Sequence, residues 1–577
     1  MEFLLLLLAL SSFASSIYGA KPLSYDYSAS IECLEKPLQP QYNGGIIKNP
    51  EFNEGLLGWS QFGDSRVGFR DLRGNKFAVA GSRNQSYGSV SQKLYLKKGL
   101  LYTFSAWLQV SDGMAPVSAI FKTRSGYRHA GAIVAESKCW SMIKGGLTVE
   151  KSGPVELYFE SKDTTVEIWV DNVSLQPFTQ EEWTSHQELS VQKTRKGTVK
   201  IKAVDSEGKP VPNATISIQQ NNLGFPFGCE TESNILGSQA YQDWFTKRFT
   251  VTTFANEMKW YSNEVVRGKE DYSTADTMLQ FFKQHGIAVR GHNVLWNDPQ
   301  YQPQWVKSLT GDDLYQAMRQ RVNSVVSRYR GQLMGWDVVN EQLPFSFFDS
   351  RLGPTAPGEI YNLAHAADSG VTLFMNEYNT LEEPNDKSCS PARYLQRLRD
   401  IQSYKDNNGI PMGIGLESHF KSPNIPYVRS ALDTLAATGL PIWITELDIN
   451  SSPDKQPQYL EQILREVHSH PQVKGIVLWA GLGPTGCYHM CLTDGNYKNL
   501  PTGDVVDKLI GEWGGFRKQT VGVADRDGFF EASLFHGDYE VKISKPFASQ
   551  TAATHVFKLS SEVETNSDVS GAFVFRV

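Results

Sequence analysis

The chain has 577 residues, a length that suits three or four domains, and 40% of them are hydrophobic, enough to build proper cores. A formal charge of −6 argues against a nucleic-acid partner, and six cysteines are too few for disulfides to build the folds. Aromatic residues reach 12%, which suits sugar-stacking surfaces and β-rich cores equally.

From the N-terminus, Leu4 to Leu10 is an unbroken apolar run followed by small residues through Ala20. It is too short to span a bilayer and reads as a secretory signal peptide over residues 1–20, with Glu2 where Lys or Arg is usual. Cleavage is expected near Ser16 or Ala20. No later segment is apolar enough for a membrane helix, so the mature form is expected outside the cell or in the cell wall, with no membrane partner. Asn84, Asn172, Asn213 and Asn450 each begin an Asn-X-Ser/Thr site and are expected to carry glycans. Cys487 and Cys491 are close enough to bridge a tight loop. Cys229 and Cys389 pair only if the fold brings them together.

Residues 43–178 alternate apolar and polar positions in short runs split by Gly, Ser, Asp and Asn, as in Tyr102 to Val110 and Val155 to Glu160. That pattern predicts an all-β, jelly-roll-like sandwich. The grammar changes at Phe225. Leu314, Met318, Val322, Val325, Val326 and Tyr329 mark an amphipathic helix, with Thr310 and Asp313 as its capping pair and Gly331 as its stop. Tyr394, Leu395, Leu398 and Ile401 mark another, ending near Gly409, and Leu460, Ile463, Leu464 and Val467 a third. Apolar runs begin near Phe225, Phe249, Ile287, Met334, Val371, Met412, Pro441 and Gly475. Eight strands alternating with helices predict a (β/α)8 barrel over residues 223–514, an α/β fold. An open doubly wound sheet is the alternative, but no Gly-rich phosphate turn follows an early strand. Residues 190–222 and 515–577 each hold a strand pair too small to bury a core alone. Together they resemble two halves of a small transthyretin-like sandwich, with the barrel inserted between them.

Two of the barrel runs end in carboxylates. Trp336-Asp337-Val338-Val339-Asn340-Glu341 and Ile442-Trp443-Ile444-Thr445-Glu446-Leu447-Asp448 each deliver an acid at the end of a buried strand. Cleaving a glycosidic bond needs two such groups. One protonates the leaving oxygen, and the other attacks or stabilises the anomeric carbon.

With these residues in place, Phe254 to Trp260, Arg290 to Trp296, Trp336 to Glu341, Asn376 to Tyr378, Gly413 to Phe420 and Ile444 to Ile449 resemble the successive strand-end motifs of glycoside hydrolase family 10. The match covers roughly half the chain in the expected order. Residues 43–178 resemble a family 22 carbohydrate-binding module, and the whole arrangement is similar to plant cell-wall xylanases. The resemblance implies that Glu341 is the general acid/base and Glu446 the nucleophile of a retaining endo-β-1,4-xylanase. The carboxyl groups of such a pair stand about 5–5.5 Å apart. It also implies that His419 orients the nucleophile, Asp448 holds that histidine, and Asn340 binds the sugar 2-hydroxyl. Asn256, Lys259 and His292 would form the polar glycone floor, Trp296 and Trp479 its aromatic walls, and Tyr378 would line the leaving-group side. In the binding module, Arg83, Tyr87, Tyr158 and Glu160 resemble sugar contacts. No metal or cofactor is implied. The partner is xylan or xylo-oligosaccharide, and the chain is expected to be a monomer.

Four positions depart from the family pattern. Ala255 replaces a glutamate of the glycone floor, and Asn297 replaces a histidine. Glu417 replaces a glutamine and adds negative charge near the nucleophile. Tyr488, in the Cys487–Cys491 loop, stands where a tryptophan is usual. They keep two other activities open: a xylan-binding wall protein with weak or no catalysis, and a xylan transglycosylase.

Overall fold

A computed structural model describes residues 23–516, 518–546, 553–560 and 572–577. The apolar leader lies outside them. No helix among the described residues is long and apolar enough to cross a membrane.

Turns rich in Gly, Ser and Asn cut residues 60–178 into ten strands in two five-stranded sheets. One runs in the order Ser60–Phe62, Ser89–Leu96, Gly153–Glu160, Met114–Thr123, Gly126–Glu136. The other runs Arg66–Leu72, Asn75–Gly81, Ile168–Phe178, Leu101–Val110, Ser141–Leu147. Inward residues such as Phe104, Phe121, Leu157, Phe159 and Val170 meet in a shared, fully buried core. A disulfide between Cys33 and Cys139 ties the preceding segment to this sandwich.

A helix, α1 (Gln180–Arg195), leads out of the sandwich from a Thr179/Glu182 capping box. The barrel follows: β1 (Phe227–Thr231), β2 (Val251–Phe254), β3 (Ala288–Trp296), β4 (Gly335–Asn340), β5 (Thr372–Glu377), β6 (Met412–Leu416), β7 (Ile442–Ile449) and β8 (Val473–Leu478). Successive strands are parallel and β8 pairs with β1, which closes the barrel. Eight apolar runs therefore became eight strands. A two-residue strand, His419–Phe420, adds to the rim of β7 and sets His419 opposite Asp448.

Helix ends were read less well. The helix after β3 spans Gly311–Arg328, but Thr310 makes no side-chain cap bond. Gly311, at φ +54°, carries the chain into the first turn instead. The helix after β5 is Pro391–Ser403 and stops six residues short of Gly409 because Tyr404 turns extended. The segments flanking the barrel do combine. Lys196–Val204 pairs with Phe529–Phe535 and Phe573–Arg576, and Thr215–Leu223 pairs with Gln519–Val523 and Gly537–Ser544. Ile201, Ile216, Val541 and Ile543, all 0% exposed, form one core from both sides of the insertion.

The sandwich sits on the outer barrel helices Pro391–Ser403 and α2 (Ile425–Ala436). Ser430 donates to the Gly145 carbonyl (2.7 Å), and Gly146 packs so tightly that a Cβ there would lie 2.5 Å from Pro426. α1 bridges the units, with Trp183 Nε1 donating to Glu466 (2.8 Å) and Arg195 to three carbonyls around β8. At the centre, Lys144 of the sandwich meets Asp433 of α2 at 2.7 Å, both buried. Burial would raise the Asp433 pKa, but Lys144, then His470 and Arg429, hold it down at about 2, against an ordinary 3.8. Its folded pKa is depressed, so its stabilisation is present above pH 3.8 and is lost as pH falls through about 2. Asp433→Asn leaves Lys144 buried without its ion partner and is expected to cost roughly 3–5 kcal/mol, read by urea denaturation at neutral pH. At pH 2 the mutant and the parent should differ much less.

Candidate active site

The polar residues of the barrel gather at the C-terminal ends of its strands. Glu341 follows β4 directly and adopts φ +53°, a left-handed conformation rare for a side chain of this kind. The turn is held from both sides. Glu341 N–H donates to the Asn376 carbonyl (3.0 Å), and the next two N–H groups, of Gln342 and Leu343, donate to the Glu377 carboxyl (3.0 and 3.1 Å). That network fixes a strained acid in place.

Glu446 lies within β7, 6% exposed. Asn376 Nδ2 donates to its Oε1 (2.9 Å) and to Asn340 Oδ1 (2.9 Å). Thr445 Oγ1 donates to Asn376 Oδ1 (2.6 Å), which turns the Asn376 amide so that its NH2 faces Glu446. With Asn340 Oδ1 occupied, its own NH2 remains for a sugar hydroxyl. On the other side, His419 Nε2 lies 3.7 Å from Glu446, while its Nδ1 bonds Asp448 (3.0 Å). His292 Nδ1 lies 3.9 Å from Glu446 and bonds Asp337 (3.0 Å), which Arg290 also holds (2.7 Å).

The two carboxyls are driven in opposite directions. Burial, reinforced by the charge of Glu446, pushes Glu341 from 4.5 up to about 7. The Trp296 indole, whose N–H has no other partner, offsets this in part. Burial would also raise Glu446, but His292, His419 and Lys259 outweigh it and bring it to about 2. His419 is drawn well above the ordinary histidine value against its burial, by Asp448, Glu417 and Glu446. One acid is thus poised to hold a proton and the other to stay ionised.

Glu417 differs from its expected effect. It is 2% exposed, and burial with the charges of Glu446 and Glu341 pushes its pKa well above the usual range, which favours the neutral form. Its Oε1 receives Asn376 Nδ2 at 3.3 Å, and its Oε2 lies 3.5 Å from His419 Nε2.

Around the pair, Lys259 Nζ stands 4.5 Å from the Trp296 ring centre and 5.8 Å from that of Trp479, and burial lowers its pKa. Tyr301 stacks on Trp296 at 4.0 Å and extends that wall. Asn256 accepts from the Tyr261 hydroxyl (2.7 Å). Tyr378 is half-buried within the field of Glu341. Asn297 pins the loop after β4 through Phe345 and Phe348 and so serves the backbone, not a ligand. The Cys487–Cys491 disulfide forms, and its loop carries Tyr488 to 5.5 Å from the His419 ring and His489 Nδ1 to 2.8 Å from Asp448. Cys229 and Cys389 are buried and free. Sequence reading passed over Asn376, Asp337 and His489 as site residues. Asn376 lay inside a strand-end motif, and His489 inside the disulfide loop, so position was the available signal.

Two further expectations need correction. Arg83 is 4% exposed, and its guanidinium donates to the carbonyls of Gly88, Asp163, Val166, Ser86 and Ser161. Every donor is taken by the loop backbone, so none is free for sugar. Asn172 is 6% exposed, with its amide turned inward to the Leu38 carbonyl (2.7 Å), so it leaves no room for a glycan. Asn84, Asn213 and Asn450 are exposed. Tyr158 is stacked under Phe62 (4.1 Å) and Tyr87 packs edge-on against the same ring (6.1 Å), while Glu160 meets Lys387 of the barrel (3.4 Å).

The closed barrel with paired strand-end acids defines a glycoside hydrolase, and the chain belongs to glycosyl hydrolase family 10, whose domain matches residues 217–484. A carbohydrate binding domain matches residues 44–165. The chain is similar to endo-1,4-beta-xylanase 5-like of Arabidopsis thaliana, 38% identical with 97% of each chain covered. It is also 37% identical to endo-1,4-beta-xylanase 4 of the same plant, with 91% of this chain and 90% of the relative covered. A Clostridium thermocellum endo-1,4-beta-D-xylanase structure with binding and catalytic modules, complexed with xylohexaose, superposes with a TM-score of 0.44 at 16% identity, covering 80% of this chain and 96% of that one.

Proposed function

We propose that the protein is a secreted endo-β-1,4-xylanase that cleaves the xylan backbone of plant cell walls with retention, by double displacement. The observation that carries this reading is the opposed pair, Glu341 at about 7 and Glu446 at about 2. In the first step the Glu446 carboxylate attacks the anomeric carbon while Glu341 gives its proton to the glycosidic oxygen. The C–O bond breaks, the aglycone leaves as an alcohol, and a glycosyl ester with Glu446 forms. In the second step Glu341, now ionised, takes a proton from water as that water attacks the same carbon, and Glu446 departs as carboxylate. Two inversions give net retention. Asn376 holds Glu446 and Asn340 together, so the 2-hydroxyl contact and the nucleophile move as one unit.

The xylanase relatives and the carbohydrate binding domain over residues 44–165 support xylan as substrate. The apolar leader and three exposed acceptor asparagines, Asn84, Asn213 and Asn450, support a secreted glycoprotein of the extracellular space or wall. Incubation with xylo-oligosaccharides tests the reading. Shorter products alone are expected. Products longer than the donor would make the protein a transglycosylase, and an unchanged donor would make it a binding protein.

A further inference from the structure

The glycone floor lacks the carboxyl that the family pattern places before Asn256, because Ala255 stands there. Three other acids lie near. Glu257 gives both oxygens to backbone, accepting from Ser233 N–H (2.6 Å) and Asn256 N–H (3.3 Å). Glu232 is half-buried and engages the Asn256 amide.

Glu230 is placed differently. It lies near the end of β1, between β2 and β8, and is 5% exposed. Its Oε1 accepts from Gly481 N–H (2.8 Å), and no hydrogen bond reaches its Oε2 among the described residues. Gly481 packs closely on it: a Cβ there would lie 2.5 Å from the Glu230 carbonyl oxygen and 2.9 Å from Oε2. In register, Glu230 pairs with Thr253, and the Ala255 N–H donates to the Thr231 carbonyl, one residue beyond Glu230 (2.9 Å). Gly481 lies two residues beyond Trp479, so the bond to its N–H sets Glu230 beside the base of that wall, and the charge of Lys259 reaches it. A carboxyl buried without an ion partner is costly to ionise, and burial pushes Glu230 up to about 8. It is then a neutral acid at pH 7, with an O–H to donate and acceptor capacity to spare.

We propose that Glu230 supplies to the glycone sugar the carboxyl contact that Ala255 leaves missing. The acid has moved from the end of β2 to the end of β1 and still serves the same floor. This rests on reading that floor as the glycone subsite of a xylanase.

Steady-state kinetics on a xylo-oligosaccharide series, with thermal melting as a folding control, test it. A contact made equally in ground and transition states sets KM, and one neutral hydrogen bond is worth about tenfold. Glu230→Ala is expected to raise KM about tenfold with kcat within about twofold. The double variant E230A/A255E returns a carboxyl to the family position and is expected to recover most of the loss. Ala255→Glu alone should not lower KM, because two acids then compete for one place. An unchanged KM in Glu230→Ala overturns the proposal. So does a loss that E230A/A255E fails to repair, since a carboxyl that merely anchors Gly481 is not replaced from position 255. If Glu230→Ala does not fold, Glu230→Met fills the volume without a hydrogen bond; the same rise in KM is expected, and an unchanged KM overturns the idea. Wild-type protein that neither cleaves nor binds the oligosaccharides would remove the xylanase reading itself, and the proposal with it.

Discussion

Glu446→Ala lowers kcat on xylo-oligosaccharides by roughly 10^4–10^6-fold, because the atom that bonds to the anomeric carbon is gone. Binding of the same oligosaccharides survives, since the aromatic walls and Lys259 are untouched. Added azide separates this cause from general damage. A small anion enters the space left by the carboxylate, attacks the same face and gives a glycosyl azide of inverted configuration. The variant has a second signature. The Glu446 charge contributes to the raised pKa of Glu341, after burial, so its removal lowers that pKa. Residual activity within about tenfold of the parent, without azide, would contradict a nucleophilic role.

The second large effect belongs to Glu341. The first step needs Glu341 protonated and Glu446 ionised, so kcat/KM follows a bell. The basic limb bends near pH 7 and falls about tenfold for each further unit, and the acidic limb bends near 2. Glu341→Gln keeps the shape but cannot give or take a proton. It is expected to reduce kcat/KM by roughly 10^2–10^4-fold on natural oligosaccharides and to erase the basic limb. The loss should shrink on aryl glycosides, whose leaving groups depart without protonation. A basic limb that persists in Glu341→Gln would assign that titration to another group. His419 is drawn well above its ordinary value and is the first group to examine.

Local pattern carried much of this arrangement. Eight apolar runs of strand length between helical stretches, with no Gly-rich phosphate turn after an early one, matched a closed barrel, and the acids Glu341 and Glu446 stood at strand ends where such a barrel builds its site. What the sequence hid were properties of three-dimensional neighbours. Arg83 read as a sugar contact through the resemblance to a carbohydrate-binding module; in the fold, five loop carbonyls converge on it from residues up to 83 positions away. Glu417 read as an added negative charge because an isolated glutamate is ionised. Its burial and two neighbouring carboxyls raise its pKa, against the pull of His419. Asn376 was visible as part of a motif, but its role depends on bonds to Asn340 and Glu446, from strands 36 and 70 residues away. The Cys33–Cys139 bridge spans 106 residues and left no local mark. The joining of the two flanking β segments was legible because neither half holds enough apolar surface to stand alone.

The floor of the site shows the same lesson from the other direction. Ala255, taken alone, says that a binding acid is lost. Beside Glu230, one strand over, it says that the acid has changed address. Weak catalysis does not follow from Ala255, because the opposed pair of carboxyls and the amide bridge of Asn376 are complete.

The account stands on Glu446 acting as nucleophile, and the anomeric configuration of the first product tests this most directly. Proton NMR during the first minutes of xylo-oligosaccharide hydrolysis, before mutarotation mixes the anomers, is predicted to show the β-anomer appearing first. The α-anomer appearing first would contradict the account. It would make Glu446 a base that activates water, with the two carboxyls about 6.5–9.5 Å apart instead of about 5–5.5 Å.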